Sequence, residues 1–246
     1  MWQLFDGRSK RRSPSLPEGL RIYVIGDVHG RADLLDQVFW RIDADLVRRP
    51  DAKALHILLG DYVDRGRSSR EVIERLIERS SSQEVICLRG NHEDCMLGFL
   101  RDPSTLSNWR QLGGFETLMS YGLKPPTNVQ NSASRELAEG FAAALPDSHR
   151  RFLDGLRTSF VCGDFFFVHA GVRPGIPLSQ QKEEDLLWIR DDFLLCEEDF
   201  GKVIVHGHTP VAELDIRPNR INIDTGAYAS GKLTCLIIER DAIFTL

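Results

Sequence analysis

Apolar residues in this chain come in short runs that stop abruptly at glycine. LRIYVIG (20–26), ALHILLG (54–60) and EVICLRG (84–90) carry β-branched residues and close on Gly, which predicts three buried strands. Between them the spacing lengthens. Leu34, Leu35, Val38, Phe39, Ile42 and Leu46 recur at helical intervals, and Val72, Ile73, Leu76 and Ile77 mark a second helix. Strand–helix–strand alternation of this length predicts right-handed crossovers and a parallel sheet, an α/β pattern. From about 95 to 157 the character changes. Trp109, the Gly113–Gly114 pair, the Pro125–Pro126 break and two amphipathic stretches predict a mostly helical insertion. Afterwards SFVCG (159–163), DFFFVH (164–169), KVIVHG (202–207), RINID (220–224) and KLTCLIIE (232–239) predict close-spaced strands, more mixed or antiparallel than the first half. Residues 1–19, rich in Ser, Pro, Arg and Lys, are expected to form a flexible arm, which leaves 20–246 as one domain.

Composition narrows the partners. With 246 residues, 42% hydrophobic and 27% charged, the chain can bury a full core. A net charge of −5 argues against a general nucleic-acid surface, which shows a basic excess. Cys87, Cys95, Cys162, Cys196 and Cys235 are odd in number and contain no CxxC pair. They predict reduced thiols and a cytoplasmic setting, and speak against a thiolate-bound structural zinc. The opening segment has no apolar h-region, and the longest apolar stretch is interrupted by Asp164 and His169, so neither a secretory leader nor a membrane span is expected. Oligomeric state leaves no readable trace.

Candidate chemistry sits where the strands end. The first runs into Gly26-Asp27-Val28-His29-Gly30, the second into Gly60-Asp61-Tyr62-Val63-Asp64-Arg65-Gly66, and the third into Arg89-Gly90-Asn91-His92-Glu93. Later strands run into His169-Ala170-Gly171 and His206-Gly207-His208. Ligands of open α/β sheets bind outside the carboxyl ends of the strands, so five such turns would share one rim. A lone Asp-x-His or HxH pair is more often a turn cap than a ligand; the conjunction of five is what points to a site. Asp, Asn and His together make a mixed oxygen and nitrogen donor set suited to Mn, Fe or Zn. On an extended strand His206 and His208 would project to the same face, which leaves open whether one or both bind metal.

GDVHG (26–30), GDYVDRG (60–66), GNHE (90–93), HAG (169–171) and GHTP (207–210) resemble, in order and spacing, the motif series of the PPP family of metal-dependent serine/threonine phosphoprotein phosphatases. GGFETLMSYG (113–122), DLLWIR (185–190) and IDTGA (223–227) look like its bacterial branch. The resemblance implies a calcineurin-like metallophosphoesterase β-sandwich, two mixed sheets flanked by helices. It implies two divalent metal ions, manganese first with iron or zinc as alternatives. Asp27, His29 and Asp61 would hold one, and Asp61, Asn91, His169 and His208 the other. It assigns His92 as general acid, Asp64 as its orienting carboxylate, and Arg65 and Arg190 as phosphate grips. A surface ion pair of Arg190 with Asp191 or Asp192 is the alternative. Arg173, just after HAG, is set aside. Superfamily members that use two histidines at the last motif read GHxH; here Pro210 takes the second place, so the resemblance selects His208 alone and leaves His206 as a packed neighbour.

The expected reaction is hydrolysis of a phosphomonoester, with water activated between the two ions attacking phosphorus in line and His92 protonating the leaving oxygen. The expected substrate is a phosphorylated protein or peptide. The rivals are a symmetrical diadenosine tetraphosphatase and a broad small-molecule metallophosphoesterase. The symmetrical enzymes typically read GDLVARG and GNHD, and Asp64 and Glu93 depart from both.

Overall fold

The computed structural model describes residues 13–50, 53–126 and 131–246. Two five-stranded mixed sheets face each other, as the resemblance implied and as the strand pattern allowed. In the first, β1 (Leu20–Ile25), β2 (Lys53–Leu58) and β3 (Val85–Cys87) run parallel in that order. The crossovers are α1 (Ala32–Val47) and α2 (Ser69–Ser82). On the other side of β1 the sheet is completed by two antiparallel strands, β9 (Cys235–Glu239) and then β10 (Ala242–Thr245).

The second sheet has the order β4 (Ser159–Cys162), β5 (Phe165–Val168), β6 (Val203–His206), β8 (Arg220–Asn222) and β7 (Asp215–Ile216). Its central three strands are parallel and its edges antiparallel. Strand alternation divides the core into three layers. Ile22, Val24, Ile57, Phe165, Phe167, Val203, Val205 and Ile238 fill the space between the sheets. Tyr23, Ile25 and Ile237 face the large helical layer. Phe166, Val168 and Ile204 face Leu186, Ile189 and Phe193, from the shorter helical segment of α8 (Glu183–Trp188) and α9 (Asp191–Leu194).

The middle of the chain is helical among the described residues. It comprises α3 (Asn91–Arg101), α4 (Leu106–Gln111), α5 (Gly114–Ser120), α6 (Asn131–Ala144) and α7 (Asp147–Asp154). Trp109, Leu118 and Phe141 join this layer to the first sheet's outer face. A last short helix, α10 (Ala227–Ser230), follows β8. No helix among the described residues is long and apolar enough to cross a membrane.

Two expectations need correction. The strand placed over 84–90 is only three residues long; beyond it the Leu88 N–H still donates to the Leu58 carbonyl of β2 at 2.9 Å, and Leu88 makes a lone bridge to Arg157. The arm placed over 1–19 is held down in its described part. Leu16 is buried in the inter-sheet core, its N–H donates to the Arg240 carbonyl at 2.9 Å, and the Ser15 N–H donates to Asp164 at 2.9 Å. Burial of the apolar Leu16 side chain, with these two hydrogen bonds, offsets part of the entropy of ordering the segment. Residues 1–12 lie outside the described residues. Leu16→Ala is expected to lower the unfolding free energy by about 2–4 kcal/mol in urea titration. A loss below about 0.5 kcal/mol would mean that the segment adds nothing to the fold.

Candidate metal centre

The carboxyl ends of β1, β2, β3, β5 and β6 meet at one rim, and the turns that follow them interlock. Backbone N–H groups of Val28 and His29 donate to the Asp61 carbonyl at 3.0 and 2.8 Å, fastening the first turn to the second. Glu93 fastens the second to the third. Its carboxylate accepts from the N–H groups of Asp61, Tyr62, Val63 and Gly90 at 2.7–3.2 Å. Clearance is minimal. A Cβ on Gly90 would stand 2.1 Å from Asp61 Oδ1, and one on Gly207 would stand 2.0 Å from Asp27 Oδ1. Glycine is therefore required at these two positions by the close approach of a carboxylate, whatever their backbone angles.

Backbone strain concentrates here. His29, Asp61, Asp64, Arg65 and His208 have φ between 46° and 72°, and Arg240 is the one other non-glycine residue with positive φ among those described. Such conformations cost about 1–3 kcal/mol each and persist only when the surroundings impose them. The strain turns five polar side chains back over the strand ends.

Two groups of buried donors result, sharing Asp61. His29, Asp61 and His92 form one, and Asp61, His169 and His208 the other. His29 Nε2 is 3.4 Å from Asp61 Oδ2, and His169 Nε2 is 3.3 Å from Asp61 Oδ1, so the two carboxylate oxygens face opposite groups. Asn91 Oδ1 lies 2.9 Å from both His169 Nε2 and His208 Nδ1. Asp27 accepts the His208 N–H through Oδ2 at 3.0 Å, while its Oδ1 and His208 Nε2 are buried with no protein partner. All six residues that the resemblance assigned to metal are brought together.

Electrostatics makes the same point. Burial, then repulsion from Asp224 and Asp61, holds the Asp27 carboxyl well above the usual carboxylate range. Burial also raises Asp61. Burial lowers His29 and His169 well below the ordinary imidazole value and takes His208 down to about 3, keeping these rings neutral with a lone pair available. Buried carboxylates beside neutral imidazoles, with orphaned oxygen and nitrogen atoms among them, are a donor set that a divalent cation satisfies. The residues present fit such an ion.

His92 is treated differently. Burial works against its charged form, but Asp61 and then Asp64 outweigh it and the pKa rises. Its Nδ1 is 2.8 Å from Asp64 Oδ2, and Asp64 is itself held by the indole N–H of Trp109 at 2.8 Å and the Thr117 hydroxyl at 2.6 Å. Arg65 Nη2 stands 3.3 Å from His92 Nε2. Arg190 is exposed, and its charge acts on His208 and Asp224. Among the described residues Arg190 forms no ion pair with Asp191 or Asp192; Asp192 pairs with Arg173, which also holds Asp185.

The same-face expectation for His206 and His208 does not hold. β6 ends at His206, which follows the outward face of Ile204 and packs edge-on against Phe193 at 5.0 Å. Beyond Gly207 the chain turns, and positive φ carries His208 into the site. Three residues were missed by reading the sequence alone. Asp224 follows β8 as Asp27 follows β1, and the same strand-end rule could have found it; burial lifts its carboxyl to about 6. Trp109 and Thr117 come from the helical insertion, and no local pattern ties them to Asp64.

With this geometry in place, the comparisons with known proteins are specific. The family described as calcineurin-like phosphoesterase matches residues 20–236. The chain belongs to that family. Curated relatives include a bis(5′-nucleosyl)-tetraphosphatase PrpE (asymmetrical) of Bacillus cereus, 28% identical over 233 residues that cover 87% of this chain and 88% of the relative. Another of the same name, from Anoxybacillus flavithermus, is 25% identical over 240 residues with the same coverage. Among solved structures, one provisionally described as a diadenosine tetraphosphatase aligns with TM-score 0.64 and 17% identity, covering 93% of each chain. A cold-active protein tyrosine phosphatase aligns at 0.57 and 16% identity, covering 92% of this chain and 78% of the other. These two share the fold. Members of this phosphoesterase family use divalent metal ions, in keeping with the donor groups above.

Glu93 does not distinguish phosphoproteins from dinucleoside polyphosphates as substrates. Glu93 spends its carboxylate on four backbone N–H groups, so its identity reports on turn geometry and not on the substrate. The full-length relatives are named for dinucleoside tetraphosphates and not for proteins. Glu93→Gln should turn an NH₂ group toward backbone donors and cost about 2–4 kcal/mol of stability. Thermal and urea unfolding read this directly, and an unchanged midpoint would contradict the role given to Glu93.

Proposed function

We propose that this chain is a divalent-metal-dependent hydrolase whose substrate is a dinucleoside tetraphosphate, cut asymmetrically. The observation that carries the reading is the end-to-end similarity to enzymes of that name, 88% of whose length is covered. The site chemistry agrees with it. Asp27, His29 and Asp61 would hold one ion, and Asp61, Asn91, His169 and His208 a second. The mixed donors favour Mn over the hard cations, with Fe and Zn as alternatives. When bound, such a pair neutralises phosphate charge and lowers the pKa of water.

The chain's own residues do the rest. Arg65 and Arg190 present planar guanidinium groups to phosphate oxygens, a match that lysine cannot reproduce. His92, held at Nδ1 by Asp64, has its Nε2 beside Arg65, where it would donate a proton to the leaving oxygen of a phosphate gripped by that guanidinium. Trp109 and Thr117 fix Asp64, so the imidazole keeps one orientation. Five free cysteines support a reducing, cytoplasmic setting.

A second reading, a serine/threonine phosphoprotein phosphatase, is favoured by the His92–Asp64 pair. A seryl or threonyl alkoxide is strongly basic and needs a proton as the bond breaks, whereas a nucleotide phosphate leaves readily without one. One experiment separates the two. The manganese-loaded protein is given diadenosine tetraphosphate, and phosphoserine, phosphothreonine and phosphotyrosine peptides in parallel, with the products resolved by chromatography. ATP with AMP is the expected outcome; two ADP would mean symmetrical cleavage, and turnover of peptides alone would install the phosphatase reading.

His92→Asn is expected to keep its metal, by elemental analysis, while kcat on a seryl phosphoester falls about 10²–10⁴-fold. The same variant should lose much less on a good leaving group such as p-nitrophenolate. Loss of metal, or equal losses on both substrates, would show that His92 is not the acid.

A further inference from the structure

Two large aromatic side chains stand partly exposed beside the site, and no role assigned above uses them. Tyr228 on α10 is 42% exposed and Trp188 at the end of α8 is 39% exposed. Exposure alone decides nothing, since Trp40 is 71% exposed on a surface helix. Position does. The Tyr228 ring meets His29 edge-on at 5.6 Å and carries the Arg65 guanidinium over one face at 4.7 Å. The Trp188 ring meets His208 edge-on at 6.3 Å, and Arg190 follows two residues later in the chain.

His29 and His208 belong to the two different donor groups that meet at Asp61. Each half of the site therefore repeats one set of parts: a buried imidazole, a guanidinium and an exposed aromatic ring. A phosphomonoester on a protein has use for only one such set. A polyphosphate chain with a nucleoside at each end has use for both.

We propose that Tyr228 and Trp188 are base-stacking platforms, one for each nucleobase of a dinucleoside polyphosphate whose phosphates cross the Asp61-centred cluster between Arg65 and Arg190. The inference rests on the dinucleoside tetraphosphate reading and names the residues that make the site select such substrates. A base stacked on an aromatic ring gains roughly five- to 150-fold in affinity. Every base offers a π-face, so the platforms recognise a nucleobase without reading which one it is. Diadenosine and diguanosine tetraphosphates should accordingly bind within a few-fold of each other.

The test uses manganese-loaded wild-type protein and the variants Tyr228→Ala, Trp188→Ala, Tyr228→Phe and Trp188→Phe. Steady-state kinetics are measured on diadenosine tetraphosphate. Separately, AMP and inorganic phosphate are compared as inhibitors of p-nitrophenyl phosphate hydrolysis. Each alanine variant should raise KM for diadenosine tetraphosphate roughly tenfold with a much smaller change in kcat. Each phenylalanine variant should restore most of it, which a merely structural role would not require. AMP should inhibit the wild type more strongly than phosphate, and the alanine variants should lose that advantage. If the wild type cleaves diadenosine tetraphosphate but the alanine variants keep its KM within twofold, the platforms are wrong and the substrate reading stands. If the wild type does not cleave it, the substrate reading fails. The platforms then fall too if AMP and phosphate inhibit equally, and stand as mononucleotide sites if an AMP advantage disappears in the alanine variants.

Discussion

Asp27 and Asp61 are carboxylates withdrawn from water at the end of one sheet, with Asp224 close enough to raise the charge problem further. Burying one such group without compensation is costly, and burying several together is worse. The architecture around them answers that constraint. Backbone amides from His208 and His92 donate to the two carboxylates, and glycines at 90 and 207 let neighbouring turns close over them. Neutral imidazoles of His29, His169 and His208 point lone pairs into the same space. Divalent cations would complete the arrangement and offset its buried charge.

The strained turns follow from the same demand. Ordinary strand-to-helix turns would carry Asp61, Asp64 and His208 outward. Left-handed backbone at five site residues folds them back, and the hydrogen bonds of Glu93 and of Val28 and His29 hold the turns in place. The two sheets serve as a rigid platform, since their carboxyl ends bring together residues that are more than 180 positions apart, Asp27 and His208. Strain at a site, supported by a packed core, is the usual physical form of preorganisation.

Much of this was legible in the sequence. Strands closing on glycine located β1, β2 and the rim itself, because the period-2 and period-3.6 patterns and the strand-end rule are local. The six donor residues, His92, Asp64 and the arginines came from the motif series, and the structure brings all six donors and the His92–Asp64 pair to one rim. What was not legible depends on long-range packing. Nothing near Leu16 announces that it enters the inter-sheet core, and nothing near Trp109 or Thr117 announces Asp64. The His206–His208 pair misled the geometric reading because the strand stops between them, a fact set by the Gly207 turn over Asp27 and not by hydrophobicity. Glu93 looked like a substrate signal and is a backbone clamp.

Asp61 is shared by both donor groups and is proposed as the centre of a two-cation site. Crystals grown with manganese and measured at the manganese absorption edge test it directly through anomalous difference density. The account predicts two peaks, one on the His29 side of Asp61 and one on the His169 and His208 side, with the carboxylate between them. A single peak, or density that leaves Asp61 without contact, would contradict it.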